Sequence, residues 1–179
     1  MIAPFLSDGR VSLRPVERRD LPRLAAWRNQ PDIRLRTREW RPLTEEHQER
    51  WWARITAEDA RDFMFVVVDG NDEEGMEMGV VGLCHWSPID RNAEISFYLG
   101  RESARRRGFM ERALCLLHEW AWSIGLERVY AECFAFNAPS IALLKKLGYV
   151  EEGWMRSHVY RDGQRWDSVM LGVLREEWT

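Results

Sequence analysis

Between residues 93 and 125 the hydrophobic period changes twice, which leaves few folds open. Residues 93–99 alternate as a strand and Leu99-Gly100 ends it. Arg105, Arg106, Arg107 and Gly108 then form a turn. Ala113, Leu114, Leu117, Trp120, Ala121 and Ile124 follow at helical spacing until Gly125 stops the helix. A glycine-bearing loop that opens a helix presents unpaired backbone N–H groups and the positive end of the helix dipole. Neighbouring arginines add charge-assisted, bidentate contacts. Phosphate or pyrophosphate is the natural guest, and a solvated loop is the alternative.

The rest of the chain is punctuated in the same manner. Residues 10–14 alternate through Val11 and Leu13 as a strand. Asp20 is placed as an N-cap, with Pro22 in the first turn and Leu21, Leu24 and Ala25 on one face of a helix ending near Asn29. Residues 30–42 are an arginine-rich loop, after which Thr44 caps a second helix carrying Trp51 and Ile55. Residues 63–68 and 79–86 pair as strands across an acidic turn at 69–75. A strand at 128–134 precedes a short helix at 140–147 that Gly148 terminates, with Asn137 as its cap and Pro139 early in it. A final hairpin, 154–160 with 166–174, turns at Asp162-Gly163. The expectation is one domain over 1–179, a mixed α/β fold with a mainly antiparallel twisted sheet flanked by about four helices.

Composition narrows the function classes. The 179 residues are 45% hydrophobic and carry a net charge of -3, which argues for a packed core and against a general polyanion binder. Lys145 and Lys146 are the only lysines among 26 basic side chains, so the basic character is nearly all guanidinium. No apolar run approaches the ~20 residues of a membrane span. Residues 1–10 lack the layout of a secretory signal, which points to the cytoplasm. Cys84, Cys115 and Cys133 are widely spaced and the four histidines do not cluster with them, so reduced structural thiols are expected and no metal.

Taken together, the loop at 105–110 and the downstream Asn137, Ser140, Gly148 and Tyr149 resemble the GNAT superfamily of acyl-CoA-dependent N-acetyltransferases. There a strand leads to a Gln/Arg-x-x-Gly-x-Gly/Ala loop, a helix, a strand, and Asn-x-x-Ser/Ala entering a helix that ends in Gly-Phe/Tyr. The likeness runs over roughly 10–175 and is specific over 93–149. It looks closest to the branch of ribosomal-protein N-terminal, polyamine and nucleotide-amino-sugar acetyltransferases. Trp27-Arg28-Asn29 and Glu46-His47 resemble the amino-sugar group most. Three positions depart from the pattern. Met110 replaces the loop's last small residue and Arg106 a frequent glycine, bulk that either crowds a pyrophosphate or points away. Leu144 stands where many relatives carry a tyrosine that protonates the leaving thiolate.

The resemblance implies acetyl-CoA as cosubstrate, transfer by direct attack of an amine in a ternary complex, and no metal. Glu94 corresponds to the carboxylate that removes the amine's proton, usually through water. Ser140 matches a proposed proton donor, with a helix-cap hydroxyl as its structural reading. Main-chain N–H groups of Phe97, Tyr98 and Leu99 would hold the thioester carbonyl and pantetheine. Arg105, Arg106, Arg107, Gly108, Phe109 and Met110 would hold the diphosphate, and Asn137 and Ser140 complete the cofactor set. His85 is read as packed and hydrogen-bonded rather than catalytic.

Arg28, Arg36, Trp40 and His47 are the acceptor-side candidates. Four arginines at 34, 36, 38 and 41 disfavour a polyamine and suit an anionic acceptor, with Trp40 or Trp166 to stack a ring. Trp51, Trp120 and Trp122 are placed in the core. A nucleotide-linked amino sugar and a protein N-terminus both remain, as does pairing of two chains through the last strands. The competing readings are an acyl-CoA-binding sensor without turnover and, against the acidic balance, a nucleic-acid binder.

Overall fold

In a computed structural model, which describes residues 5–72 and 75–178, the alternating stretch at Val11 and Leu13 is a strand with both side chains wholly buried. The elements run β1 (Leu6–Ser7), β2 (Val11–Pro15), α1 (Leu21–Arg28), α2 (Pro31–Leu35), α3 (Glu45–Ile55), β3 (Phe63–Asp69), β4 (Glu77–Ser87) and β5 (Asn92–Leu99). They continue α4 (Phe109–Ser123), β6 (Arg128–Phe134), α5 (Ala138–Lys146), β7 (Val150–Arg161) and β8 (Gln164–Leu174). The eight strands follow the order β1-β2-β3-β4-β5-β6-β8-β7. The β5–β6 pair is parallel, while β1–β2, β2–β3, β3–β4, β6–β8 and β7–β8 are antiparallel. The mixed α/β class is as expected. The loop expected at 30–42 contains the short helix α2, opened by Pro31 at its first position. Residues 73 and 74 of the acidic turn, and part of the N-terminal segment, lie outside the described residues.

Contacts divide the chain into two compact units, 1–84 with 96–117 and 85–95 with 118–179. In the first, Val16, Leu24, Trp27, Val66 and Val80 form a buried cluster. Trp51, Trp52, Ile55 and Tyr98 pack against it half-buried. Trp51 thus lies at the margin of the core, and its α3 partner Ile55 joins it at i,i+4 spacing. Gly100 abuts this cluster. A Cβ there would overlap Cγ, Cδ2 and Cε2 of Trp27, so only glycine fits at the point where the chain leaves β5.

Asp20 does not cap α1 through its side chain. Its carboxylate is taken by Arg14, whose Nη1 and Nη2 each donate at 2.7 Å, and by the backbone N–H of Glu17 at 2.8 Å. Both partners are nearly inaccessible, and Glu77 approaches the same guanidinium at 3.3 Å. Burial pushes the Asp20 carboxyl up, but the hydrogen bonds from Arg14 and Glu17 and the Arg14 charge outweigh it and hold the group below its ordinary value. Sequence spacing put Asp20 before the helix; the arginine across the turn claimed its oxygens instead.

In the second unit, Val129, Ala131 and Cys133 bury one face of β6, as the alternation required. The β7–β8 hairpin turns at Asp162 and Gly163, whose φ values of 50 and 79 match a two-residue turn with both positions left-handed. His118 is buried, stacks on Trp178 with centroids 4.3 Å apart and meets the Tyr149 hydroxyl at 2.7 Å. Trp122 is buried beside it, in line with its core assignment, whereas Trp120 is half-exposed.

Two stability results follow from the first unit. Asp20→Asn should lower unfolding free energy by about 2 kcal/mol in denaturant titration, less than a full buried-pair loss because Glu77 remains beside Arg14. Because Asp20's folded pKa is depressed, its contribution is complete above the unfolded value near ~3.9 and is lost as pH falls through the lower folded value, so the gap between wild type and Asp20→Asn should start to narrow near about pH 4 and close only below the folded value. Gly100→Ala should cost about 3 kcal/mol through overpacking against Trp27, and a midpoint within error of wild type would contradict that reading.

Candidate active site

The loop expected to receive an anion connects β5 to α4 within the first unit. A 3-10 turn at Glu102–Ala104 leads to residues 105–108. Gly108, at φ 78 and with nothing within 4 Å of where a Cβ would stand, swings the chain into α4. Arg112 N–H bonds the Gly108 carbonyl at 3.2 Å, so the helix's first amides face the loop as an N-terminus requires. Arg106 occupies a left-handed backbone position as well, with φ 59.

The loop's side chains divide by role. Arg105 is held by Asp32 of α2 at 2.8 Å. Arg107 lies over the Phe109 ring at 5.2 Å, and its carbonyl accepts from Arg10 Nη2 at 3.1 Å. Phe109 and Met110 are buried, so the bulk of Met110 turns into the core rather than toward an anion. What those two positions offer a ligand is main-chain N–H. Asp8 anchors the start of α4 through Arg112 Nε at 2.7 Å. Burial pushes the Asp8 carboxyl up, and the Val11 and Arg10 amides with Arg112 bring it below the usual range.

Of the acceptor-side candidates, Arg28 is brought to Tyr98, its guanidinium 5.7 Å from the ring centroid. Its Nε is buried without a hydrogen-bond partner. Burial pushes the Tyr98 phenol far up, only partly countered by Arg28, so it stays protonated. Phe97 and Leu99 flank Tyr98 half-buried at the end of β5. Arg36 is turned back on Asp32 of its own helix, and Arg41 is bound by Glu39 at 2.6 Å. The Arg41 hydrogen bond leads in holding Glu39 down at about 2. Two of the four loop arginines are therefore matched by carboxylates, which weakens the positive field read from composition. Trp40 stands 61% exposed. His47 is committed to the start of α3: its Nδ1 lies 2.8 Å from Thr44 Oγ1, and the Thr44 hydroxyl accepts from its amide.

The second unit holds Glu94, Asn137 and Ser140. Asn137 precedes α5, but its side chain makes no cap bond; its carbonyl accepts from the Ser140 amide at 3.1 Å. Ser140 is the third residue of α5, half-exposed rather than at the cap position. Leu144 is wholly buried, so apolar packing fills the position of the missing tyrosine. Trp166 meets Phe136 edge-on with centroids 5.0 Å apart.

Glu94 is a buried strand carboxylate, 7% exposed, not a surface one. Its Oε2 lies 3.1 Å from Nδ1 of His85 on β4. His85 is hydrogen-bonded as expected but is not packed: its side chain is 64% exposed. The missed signal is a hairpin relation, since nine residues separate the two around the β4–β5 turn. A buried carboxylate holding an exposed imidazole can orient a base and stabilise its cation. Among the described residues no group of three or more His, Cys, Asp and Glu is placed to hold a metal, and no helix is long and apolar enough to cross a membrane.

Comparison with known proteins meets this geometry from outside. The family described as an acetyltransferase (GNAT) domain matches residues 10–150. An uncharacterized N-acetyltransferase, YokL of Bacillus subtilis, is 30% identical over 120 residues, 65% of this chain and 64% of that protein. The ribosomal protein uS5-alanine N-acetyltransferase of Escherichia coli is 25% identical over 186 residues, 97% of this chain and 92% of that one. In fold, the chain matches the spermidine N-acetyltransferase of Vibrio cholerae, solved with CoA and spermine, at a TM-score of 0.84 and 20% identity over 95% of this chain and 98% of that one. A glycine-bent loop opening α4, an Asn-x-x-Ser entry to α5 and a match over most of the chain agree: the protein belongs to the GNAT acetyltransferase family, the acetyl-CoA-dependent N-acetyltransferases.

Proposed function

We propose that the protein acetylates the terminal amine of a polypeptide, with Glu94 serving the deprotonation of that amine. The observation that carries the reading is the buried Glu94 carboxylate on β5, hydrogen-bonded and placed three residues before Phe97. The ammonium loses a proton, the neutral amine attacks the thioester carbonyl, a C–N bond forms and the C–S bond breaks. Main-chain N–H groups of Phe97, Tyr98 and Leu99 polarise the carbonyl. The diphosphate of CoA takes the amides at the Gly108 bend with Arg106 and Arg107, and Arg105 joins on exchanging Asp32 for phosphate. Asn137 and Ser140 at the head of α5 complete the cofactor contacts, and the Ser140 hydroxyl gives its proton to the departing thiolate while taking up the surplus proton of the acylated nitrogen.

The acceptor follows from charge and exposed surface. Arg36 and Arg41 are already matched by Asp32 and Glu39, which leaves less field for a nucleotide diphosphate than four arginines suggest. Exposed Trp40 and the Arg28–Tyr98 pair suit a peptide's apolar and carbonyl groups. A relative aligned over 97% of this chain is named a ribosomal protein uS5-alanine N-acetyltransferase, which supports a protein acceptor.

Thiol release from acetyl-CoA with an alanine-initiated peptide, a nucleotide-linked amino sugar and spermidine tests both levels. The peptide should give the highest kcat/KM, and Glu94→Gln should lower kcat about 10²- to 10⁴-fold with CoA affinity retained. Preference for the sugar nucleotide or spermidine overturns the acceptor assignment. Tight CoA binding with no turnover of any amine overturns the transferase reading in favour of a sensor.

A further inference from the structure

We infer that His85 is the group that receives the amine's proton, and that Glu94 acts through it as its positioning partner. The inference rests on the acetyl-transfer reading and replaces the water expected between carboxylate and amine with a side chain. An ionised carboxylate only accepts hydrogen bonds, so at 3.1 Å Glu94 Oε2 fixes the proton of neutral His85 on Nδ1. The basic lone pair is then on Nε2, at the far side of a ring that is 64% exposed. Glu94 itself is 9% exposed at its side chain, so an acceptor in solution meets imidazole before it meets carboxylate.

The backbone supports the same conclusion. His85 sits within β4 at φ 55, a left-handed position that a non-glycine strand residue adopts only under strain. That conformation places its ring against Glu94 nine residues on, and nothing in the hydrophobic pattern of the strand demands it. Tyr130 of β6 is the register partner of Glu94, with the Arg128 guanidinium 5.8 Å from its ring. Arg128 is in turn bound to Glu152 of β7 at 2.5 Å. Further along β6, Glu132 lies 3.5 Å from His158.

The step balances simply. The ammonium's proton moves to Nε2, giving an imidazolium that Glu94 stabilises. The freed lone pair forms the C–N bond as the C–S bond breaks, and the nitrogen's surplus proton goes to the thiolate. Imidazolium then returns its proton to water.

The test combines a spectroscopic and a kinetic reading on the intact chain. Nitrogen-15 NMR at neutral pH should show His85 as the Nδ1–H tautomer, and Glu94→Gln should shift it toward Nε2–H. His85→Ala should lower kcat for peptide acetylation about 100-fold or more, with KM and CoA affinity within about threefold of wild type, and free imidazole should restore at least about tenfold. An Nε2–H tautomer in wild type, or His85→Ala retaining kcat within about threefold while Glu94→Gln loses it, overturns the inference and leaves acetyl transfer standing. Failure of the wild-type chain to acetylate any of the three amines overturns the transfer reading and this role together, and the tautomer still reports on the pair itself.

Discussion

The contact of Trp27 with Gly100 is the constraint on which the loop between β5 and α4 depends. Trp27 belongs to a buried cluster with Leu24 of α1, Val16 just after β2, Val66 of β3 and Val80 of β4, and its indole occupies the space a side chain at position 100 would need. The end of β5 is thereby fixed against α1, and Gln30 Nε2 adds a hydrogen bond to the Gly100 carbonyl at 3.2 Å. Eight residues later Gly108 reverses the backbone into α4. The two glycines thus bracket residues 101–107, and the packing at position 100 sets where that loop leaves the sheet.

Arginine abundance in this chain is mostly an internal matter. Arg14 is spent on Asp20, Arg112 on Asp8, Arg128 on Glu152, Arg105 on Asp32 and Arg41 on Glu39. Asp32 is the notable carboxylate, because it faces both Arg105 of the anion loop and Arg36 of its own helix. A phosphate group that draws Arg105 away would leave Asp32 to Arg36 alone, tying cofactor occupancy to the segment expected to border the acceptor. These ion pairs offset part of the guanidinium charge in a chain whose net charge is -3.

What was legible in the sequence was what local chemistry decides. Gly125 and Gly148 end their helices at φ 91 and 87, Asp162-Gly163 makes the hairpin turn, and the apolar period of α4 is kept through its whole length. The glycine bend that opens α4 was legible for the same reason, since glycine and helix onset are neighbours in sequence. The misreadings all involve partners that spacing does not show. Asp20 has the position of a cap but the environment of an ion pair. Met110 looks bulky in a loop, yet its side chain belongs to the core. α2 is too short for any period to announce it, and β1 has only two residues. His85 is hydrogen-bonded as its strand position suggested but exposed rather than packed; its carboxylate partner lies across a hairpin, and its own backbone angle is one no pattern encodes.

If the bend around Gly108 holds the diphosphate of CoA with backbone amides, those amides must be protected when CoA is bound. Hydrogen exchange read by mass spectrometry, with and without saturating CoA, addresses them directly. Marked slowing is predicted at residues 105–110 and in the first turn of α4, with the β7–β8 hairpin turn at Asp162-Gly163 unchanged. Exchange at 105–110 that is identical in both states, in a chain whose core amides remain protected, would contradict a diphosphate site at this bend.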